Sequence, residues 1–250
     1  MLPEPLFLSV HMYGIMVALG ILCTFIVLFL YSSIKKVDNN FTDFVFYNGI
    51  VAIVVGFGSA ALFQSVYNYI ENPEAGFRFD DSITFIGGLL GGIASFVIGY
   101  FIFRRFYKVR LYKVVSIYPP CIIIAHAFGR VGCFFAGCCY GKPTDSFLGV
   151  KFPRLHTPVH PTQLYEAAFL FILFALCSYL LLAKKFKHNL SLYLISYGVF
   201  RFFIEFLRND NRGQLVGKIS PSQFWSILLV AAGIGMIFVL NYFYKKEEKT

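Results

Sequence analysis

The chain has 250 residues, of which 58% are apolar, 19% aromatic and 14% charged, and its net charge is +9. A soluble domain carries about 25% charged residues, and a globule of this length cannot hide 31 Phe side chains from water, so lipid must solvate most of the surface. Intrinsic disorder, a secreted disulfide scaffold and a cytosolic enzyme are excluded, and the chain reads as an all-α integral membrane protein.

Seven segments are long and apolar enough to cross about 30 Å of hydrocarbon as helices: 6–31, 44–69, 85–103, 114–130, 161–183, 190–207 and 222–244. They lack the alternation of a barrel strand, and only helices or closed barrels satisfy backbone polar groups in lipid. The first residues, MLPEPLFLSV, carry no basic stretch, and no small-residue cleavage signature follows, so the first run is read as a retained span. The chain is taken as one seven-helix domain over 1–250, with its longest polar connections at about 70–84 and 131–160. Glycines at 56 and 58 and at 87, 88, 91 and 92 suit close helix packing. The cluster at 129, 132, 137 and 141 is interleaved with polar residues and suits a cavity wall.

Lys35, Lys36, Arg104, Arg105, Lys108, Arg110, Lys113, Lys184, Lys185, Lys187, Lys245, Lys246 and Lys249 fall in alternate loops and the C-terminal tail, thirteen of the 22 basic residues. The positive-inside rule then places the N-terminus outside and the C-terminus in the cytoplasm, with the two long connections on the outer face. Six cysteines are too few and too irregular for a disulfide framework. Cys23, Cys121 and Cys177 lie in apolar runs as small hydrophobes. Cys133, Cys138 and Cys139 face the outer side, where a disulfide of unassigned pairing is the expectation. Their spacing matches no structural zinc pattern, so no metal is expected.

Ionisable groups at membrane depth cost several kcal/mol unless paired, and they mark function. Four sets qualify. His11 and Tyr13 are read in the first span, His126 and Arg130 at the end of the fourth, Tyr165 and Glu166 at the start of the fifth, and Arg201, Glu205 and Arg208 in the sixth. On this topology all four lie toward the outer boundary and can meet in one cavity. His126 and Arg130 share a helix face that Cys133 continues, and Arg201, Glu205 and Arg208 form one stripe. Arginines on two helices make a clamp for a phosphate, because the guanidinium fork is bidentate and stays charged when buried. A phospholipid head group is the expected ligand. Structural alternatives stay open: Arg201 and Glu205 also fit an ion pair within the bundle, Arg130 and Arg208 also fit snorkelling to the interface, and His11 also fits a buried structural histidine.

In order along the chain, HMYGIMVALGI (11–21), SITFIGGLLGG (82–92), GRVGCFFAGCCYG (129–141), HPTQLYEA (160–167), YGVFRFFIEFLR (197–208) and ISPSQFWS (219–226) resemble motifs of the prolipoprotein diacylglyceryl transferases of bacterial inner membranes. The resemblance implies transfer of a diacylglyceryl group from phosphatidylglycerol to the thiol of a lipobox cysteine, with release of glycerol phosphate and no cofactor. It implies that Arg130 and Arg201 serve the phosphate and that Tyr13, Tyr165 and Glu166 line the same site. The full candidate set is His126, Arg130, Arg201 and Tyr13 for catalysis. For binding it is Arg130, Arg201, Glu205, Arg208, Tyr165, Glu166, His11 and Cys133.

The chain departs from that pattern. The family's third-helix histidine is replaced by Ile86, the signature-box asparagines and glutamate by Cys133, Ala136 and Cys138, and a second-helix arginine by Gly58. His126, one turn before Arg130, is the candidate replacement base, with a purely structural role as its open alternative. Two further readings are a relative that uses phosphatidylglycerol with a different acceptor, and a non-catalytic lipid-binding membrane protein. A small-solute transporter is less consistent with the absence of repeated halves or paired broken helices.

Overall fold

The computed structural model describes residues 11–79, 84–107, 109, 111–153, 155–209 and 220–247, and every apolar run within them is helical. The helices are α1 (Met12–Ile34), α2 (Asn39–Glu71), α3 (Phe85–Phe103), the single turn α4 (Leu111–Val114), α5 (Tyr118–Ala136), α6 (Thr162–Leu182), α7 (Asn189–Ile204) and α8 (Pro221–Glu247). Six of them, α1, α2, α5, α6, α7 with the turn that follows it, and α8, have the length and apolarity to cross a membrane. The seventh, α3, has 19 residues, roughly 28 Å at 1.5 Å per residue. Their outer faces are apolar: Phe238 is 71% exposed and Ile172 70%, a surface suited to acyl chains.

Four boundaries differ from those expected of the sequence, each for a local reason. Residues 6–10 of the first expected span lie outside the described residues, and α1 begins at Met12, so His11 precedes the helix. The second runs to 33 residues because Asp38 caps it, accepting from the Phe41 N–H at 2.9 Å. Its roughly 50 Å length exceeds the hydrocarbon core. The fourth expected span, 114–130, is displaced. Pro119 and Pro120 lack N–H groups and fit only a first turn, so α5 starts at Tyr118 and continues through residues 131–136, which were expected to be loop. It ends where Gly137, at φ 68°, adopts the left-handed conformation and donates to the Cys133 and Phe134 carbonyls. The sixth ends early, at Ile204. A 3₁₀ turn, Glu205–Leu207, follows, and Arg208 is extended and bridged to Gly141.

The chain divides into two compact units, Ser32–Arg110 and the remainder. In the smaller unit α2 and α3 meet through glycines, as their clustering suggested. A Cβ on Gly87 would lie 2.6 Å from the Phe63 Cβ, one on Gly56 3.1 Å from the Gly88 carbonyl, and one on Gly91 against Ser59. Asn48 donates to the Phe96 carbonyl at 2.9 Å, and Thr84 donates to Gln64 at 2.6 Å. Gly87→Ala is therefore expected to destabilise the protein by about 1–3 kcal/mol through overpacking. Gly58→Ala, where a Cβ meets nothing within 4 Å, should not. Thermal unfolding in detergent separates the two.

The larger unit packs α5 against α6 around Ile123, Ala127, Leu170, Leu173 and Cys177, with Tyr193 and Tyr197 of α7 against the cluster. The α1 helix approaches α5 at Gly20, beside Ala125, and Thr24 donates to the Cys121 carbonyl at 2.9 Å. The α7 and α8 helices close on each other at Gly198, where a Cβ would lie 2.9 Å from the Ser226 carbonyl. This unit carries the polar constellation.

Candidate active site

Glu166, in the second turn of α6, is fully buried, and in lipid such a carboxylate requires compensation. Its Oε1 lies 2.9 Å from Nε of Arg130 and accepts the Tyr197 hydroxyl at 2.7 Å. The Tyr197 oxygen also accepts from the Arg130 guanidinium. His126, one turn before Arg130 on α5, places Nε2 3.8 Å from the same carboxylate oxygen. Its Nδ1 lies 3.3 Å from the Tyr193 hydroxyl, and its ring meets Tyr197 edge-on.

A second buried carboxylate, Glu205, organises the end of α7. Its Oε2 lies 2.8 Å from Nη2 of Arg201 and 3.9 Å from Nε of Arg208, and its Oε1 accepts from Ser220 at 3.0 Å. Arg201 also donates to Ser222, in the first turn of α8, at 3.1 Å. Its Nη1 is buried with no hydrogen-bond partner. The two hubs adjoin through α7, where Arg201 stands one turn after the Tyr197 that donates to Glu166.

The connection from α5 to α6 folds back under these groups. Thr162 donates to the Cys139 carbonyl at 2.8 Å, and Gln163 donates to the Cys138 carbonyl. The Gly141 N–H donates to His160 at 2.8 Å, and the Lys142 N–H to Leu207 at 2.7 Å. HPTQLYEA thus supplies both the carboxylate of the first hub and the side chains that pin the preceding turn.

The sequence-derived candidates divide accordingly. His126, Arg130, Glu166 and Arg201 come together, and Glu205 and Arg208 form the adjoining hub. The ion pair that i,i+4 spacing allowed for Arg201 and Glu205 is present. Tyr13 is 42% exposed, with its ring against Gly132 of α5. Tyr165 turns to His160, its hydroxyl 3.3 Å from Nδ1. His11 lies exposed ahead of α1 rather than within a span. Glu205 and Arg208 lie beyond the α7 helix rather than inside it. The Ile86 side chain is outside the described residues, and Gly58 belongs to the smaller unit.

Cys133, Cys138 and Cys139 are free thiols, where the sequence favoured a disulfide. Hydrogen bonds from Cys133 and Cys138, reinforced by the Arg208 guanidinium, hold the Cys139 thiol well below its ordinary range. Tyr193, Tyr197, Ser220 and Ser222 were not singled out from sequence. Tyr193 and Tyr197 stand eight and four residues before Arg201, on its helix face, and that spacing was the available signal.

The family model described as prolipoprotein diacylglyceryl transferase matches residues 4–239. The chain is 37% identical over 248 residues to the phosphatidylglycerol–prolipoprotein diacylglyceryl transferase of Clostridium tetani, covering 96% of each chain. It is 32% identical over 251 residues to such a transferase, numbered 2, of Clostridium perfringens, covering 96% of this chain and 94% of that one. With the enzyme of Finegoldia magna the identity is 30% over 246 residues, 96% of this chain and 93% of the other.

Proposed function

The chain belongs to the prolipoprotein diacylglyceryl transferase family, and from that premise we propose that it moves the diacylglyceryl group of phosphatidylglycerol to the cysteine thiol of a prolipoprotein. It does so at the outer leaflet of a bacterial inner membrane, with its N-terminus outside. The acceptor sulfur attacks the glyceryl carbon that bears the phosphoester oxygen. The C–O bond breaks as the S–C bond forms, glycerol phosphate departs with the bonding electrons, and the thiol proton passes to a base.

A buried guanidinium donor without a partner, set between two ion-paired hubs, carries this reading. Arg130, Arg201 and Arg208 bring three positive charges against the two carboxylates Glu166 and Glu205. Arg208 also faces the Cys139 thiol, so Arg130 and Arg201 are the cations available to a phosphodiester. Arg201 Nη1 supplies a buried donor awaiting an acceptor. Fixed guanidinium donors at the leaving oxygen stabilise the charge that develops there, and a low-dielectric site strengthens each such contact. Arg130 and Arg201 are the phosphate ligands, Glu166, Glu205 and Tyr197 orient them, and Tyr13 borders the site from α1.

His126 is the base. Nε2 takes the thiol proton, Glu166 at 3.8 Å stabilises the imidazolium, and the Tyr193 hydroxyl fixes the ring. General-base catalysis contributes about 10²–10⁴-fold, so His126→Gln is expected to lower kcat by that factor with little change in KM. It should also flatten the acid limb expected of the parent's pH–rate profile, because a protonated imidazole cannot accept a proton. Unaltered kcat and an unaltered pH profile exclude His126 as the base.

A second reading concerns the acceptor alone. Ile86, Cys133, Ala136 and Cys138 replace polar residues of the family pattern, which favours an acceptor other than the lipobox thiol. Mass spectrometry of reconstituted vesicles containing phosphatidylglycerol, with and without a lipobox peptide, tests both. Glycerol phosphate release that requires the peptide supports the first reading, and release that requires another acceptor supports the second. No release under any condition removes the transferase assignment.

A further inference from the structure

The last turn of α5 and the bend that follows it bring three thiols to one point. Cys133 projects from the helix, Gly137 reverses the chain, and Cys138 and Cys139 follow directly. The three Sγ atoms lie within 4.8 Å of one another. Cys139 itself sits at φ 64°, a left-handed conformation uncommon for a residue with a side chain of this type. The bend holds that conformation because both of its carbonyls are anchored: Cys139 to Thr162 and Cys138 to Gln163, two buried side chains at the start of α6. The sulfurs therefore converge through the fold rather than through chance side-chain orientation.

From this geometry we propose that Cys133, Cys138 and Cys139 form a three-thiolate site for a thiophilic d¹⁰ cation, Zn(II) or Cu(I). With metal–sulfur bonds of about 2.3 Å, thiolates around one ion stand roughly 3.8–4.0 Å apart, so the observed cluster needs an inward adjustment of less than about 1 Å. A disulfide would need one pair to close to about 2 Å and would leave the third thiol unused. Soft sulfur ligands without accompanying carboxylates select these ions over magnesium, calcium or manganese. All three sulfurs bind as thiolates, so binding releases the protons still held by Cys133 and Cys138. Three thiolates with Zn(II) carry one net negative charge, which the Arg208 guanidinium at Cys139 offsets. Zn(II) would retain an open fourth position, whereas Cu(I) is satisfied by three sulfurs. The bound ion would join the end of α5 to the bend anchored on α6. This proposal stands independently of the transferase assignment.

The test uses the full chain, purified in detergent, reduced and stripped of metal. Zn(II) and Cu(I) are titrated separately against a chromophoric chelator for each ion. One equivalent of either ion should bind and should protect Cys133, Cys138 and Cys139, but not Cys23, from alkylation as read by mass spectrometry. Cys133→Ser, Cys138→Ser and Cys139→Ser should each weaken binding by at least about 100-fold, since loss of even an outer partner of a metal ligand costs up to that much. Cys23→Ser should bind as the parent does. Because protection is read on the parent chain, the test survives misfolding of a variant. Failure of both ions to bind stoichiometrically, binding unchanged by all three substitutions, or a disulfide within the trio in protein isolated without reductant would each overturn the proposal.

Discussion

Arg201→Lys and Arg130→Lys are each expected to reduce turnover of radiolabelled phosphatidylglycerol by about 10²–10³-fold, the loss associated with removing one preorganised donor from a developing oxyanion. Lysine keeps the charge but not the planar fork. At position 130 the fork joins Glu166 and Tyr197, and at position 201 it joins Glu205 and Ser222 while leaving Nη1 for a ligand. The conservative substitution is the informative one. Alanine would also strand a buried carboxylate and confuse folding with chemistry. Turnover within about threefold of the parent in both lysine variants contradicts the assignment of the phosphate to these residues.

Glu166→Ala is expected to have the largest effect on stability, about 3–5 kcal/mol, because it leaves the Arg130 charge uncompensated in an apolar setting. Glu166→Gln keeps the shape and one acceptor for Tyr197, and it should cost less, about 1–3 kcal/mol. Unfolding followed in the same detergent distinguishes them. A cost below about 1 kcal/mol for the alanine variant means that Arg130 finds other compensation and that Glu166 does not organise the site. Charge inversion offers a further comparison: Arg130→Glu with Glu166→Arg restores the pair electrostatically without restoring the lipid-facing donors, so stability should recover more than activity.

The spans were legible because hydropathy runs are long and lipid imposes helices on them. Their ends were legible only where local chemistry was weighed above hydropathy. Pro119 and Pro120 mark the true start of α5 and Gly137 its true end, yet the apolar run beginning at 114 pulled the expected span out of register. The polar candidates were visible because Arg130, Glu166 and Arg201 are expensive at membrane depth. Tyr197 was not, because tyrosine in a membrane chain ordinarily reads as an interfacial residue, and its role depends on a carboxylate 31 positions earlier. The thiol trio escaped for another reason. A C-x₄-C-C spacing matches no metal pattern on a straight helix or hairpin, and only the left-handed bend at Gly137 and Cys139 closes it. Tyr165 shows the converse case, a motif residue whose hydroxyl turns to His160.

Arg130 and Arg201 are proposed to grip one phosphate together. A double-mutant cycle of Arg130→Lys and Arg201→Lys, read as affinity for phosphatidylglycerol and for diacylglycerol as the phosphate-free comparator, tests it most directly. Shared contact with a single phosphate predicts a coupling of about 0.5–3 kcal/mol for phosphatidylglycerol and none for diacylglycerol. Losses that add to within about 0.5 kcal/mol for phosphatidylglycerol, or equal coupling for both lipids, would show that the two arginines do not meet at a common phosphate.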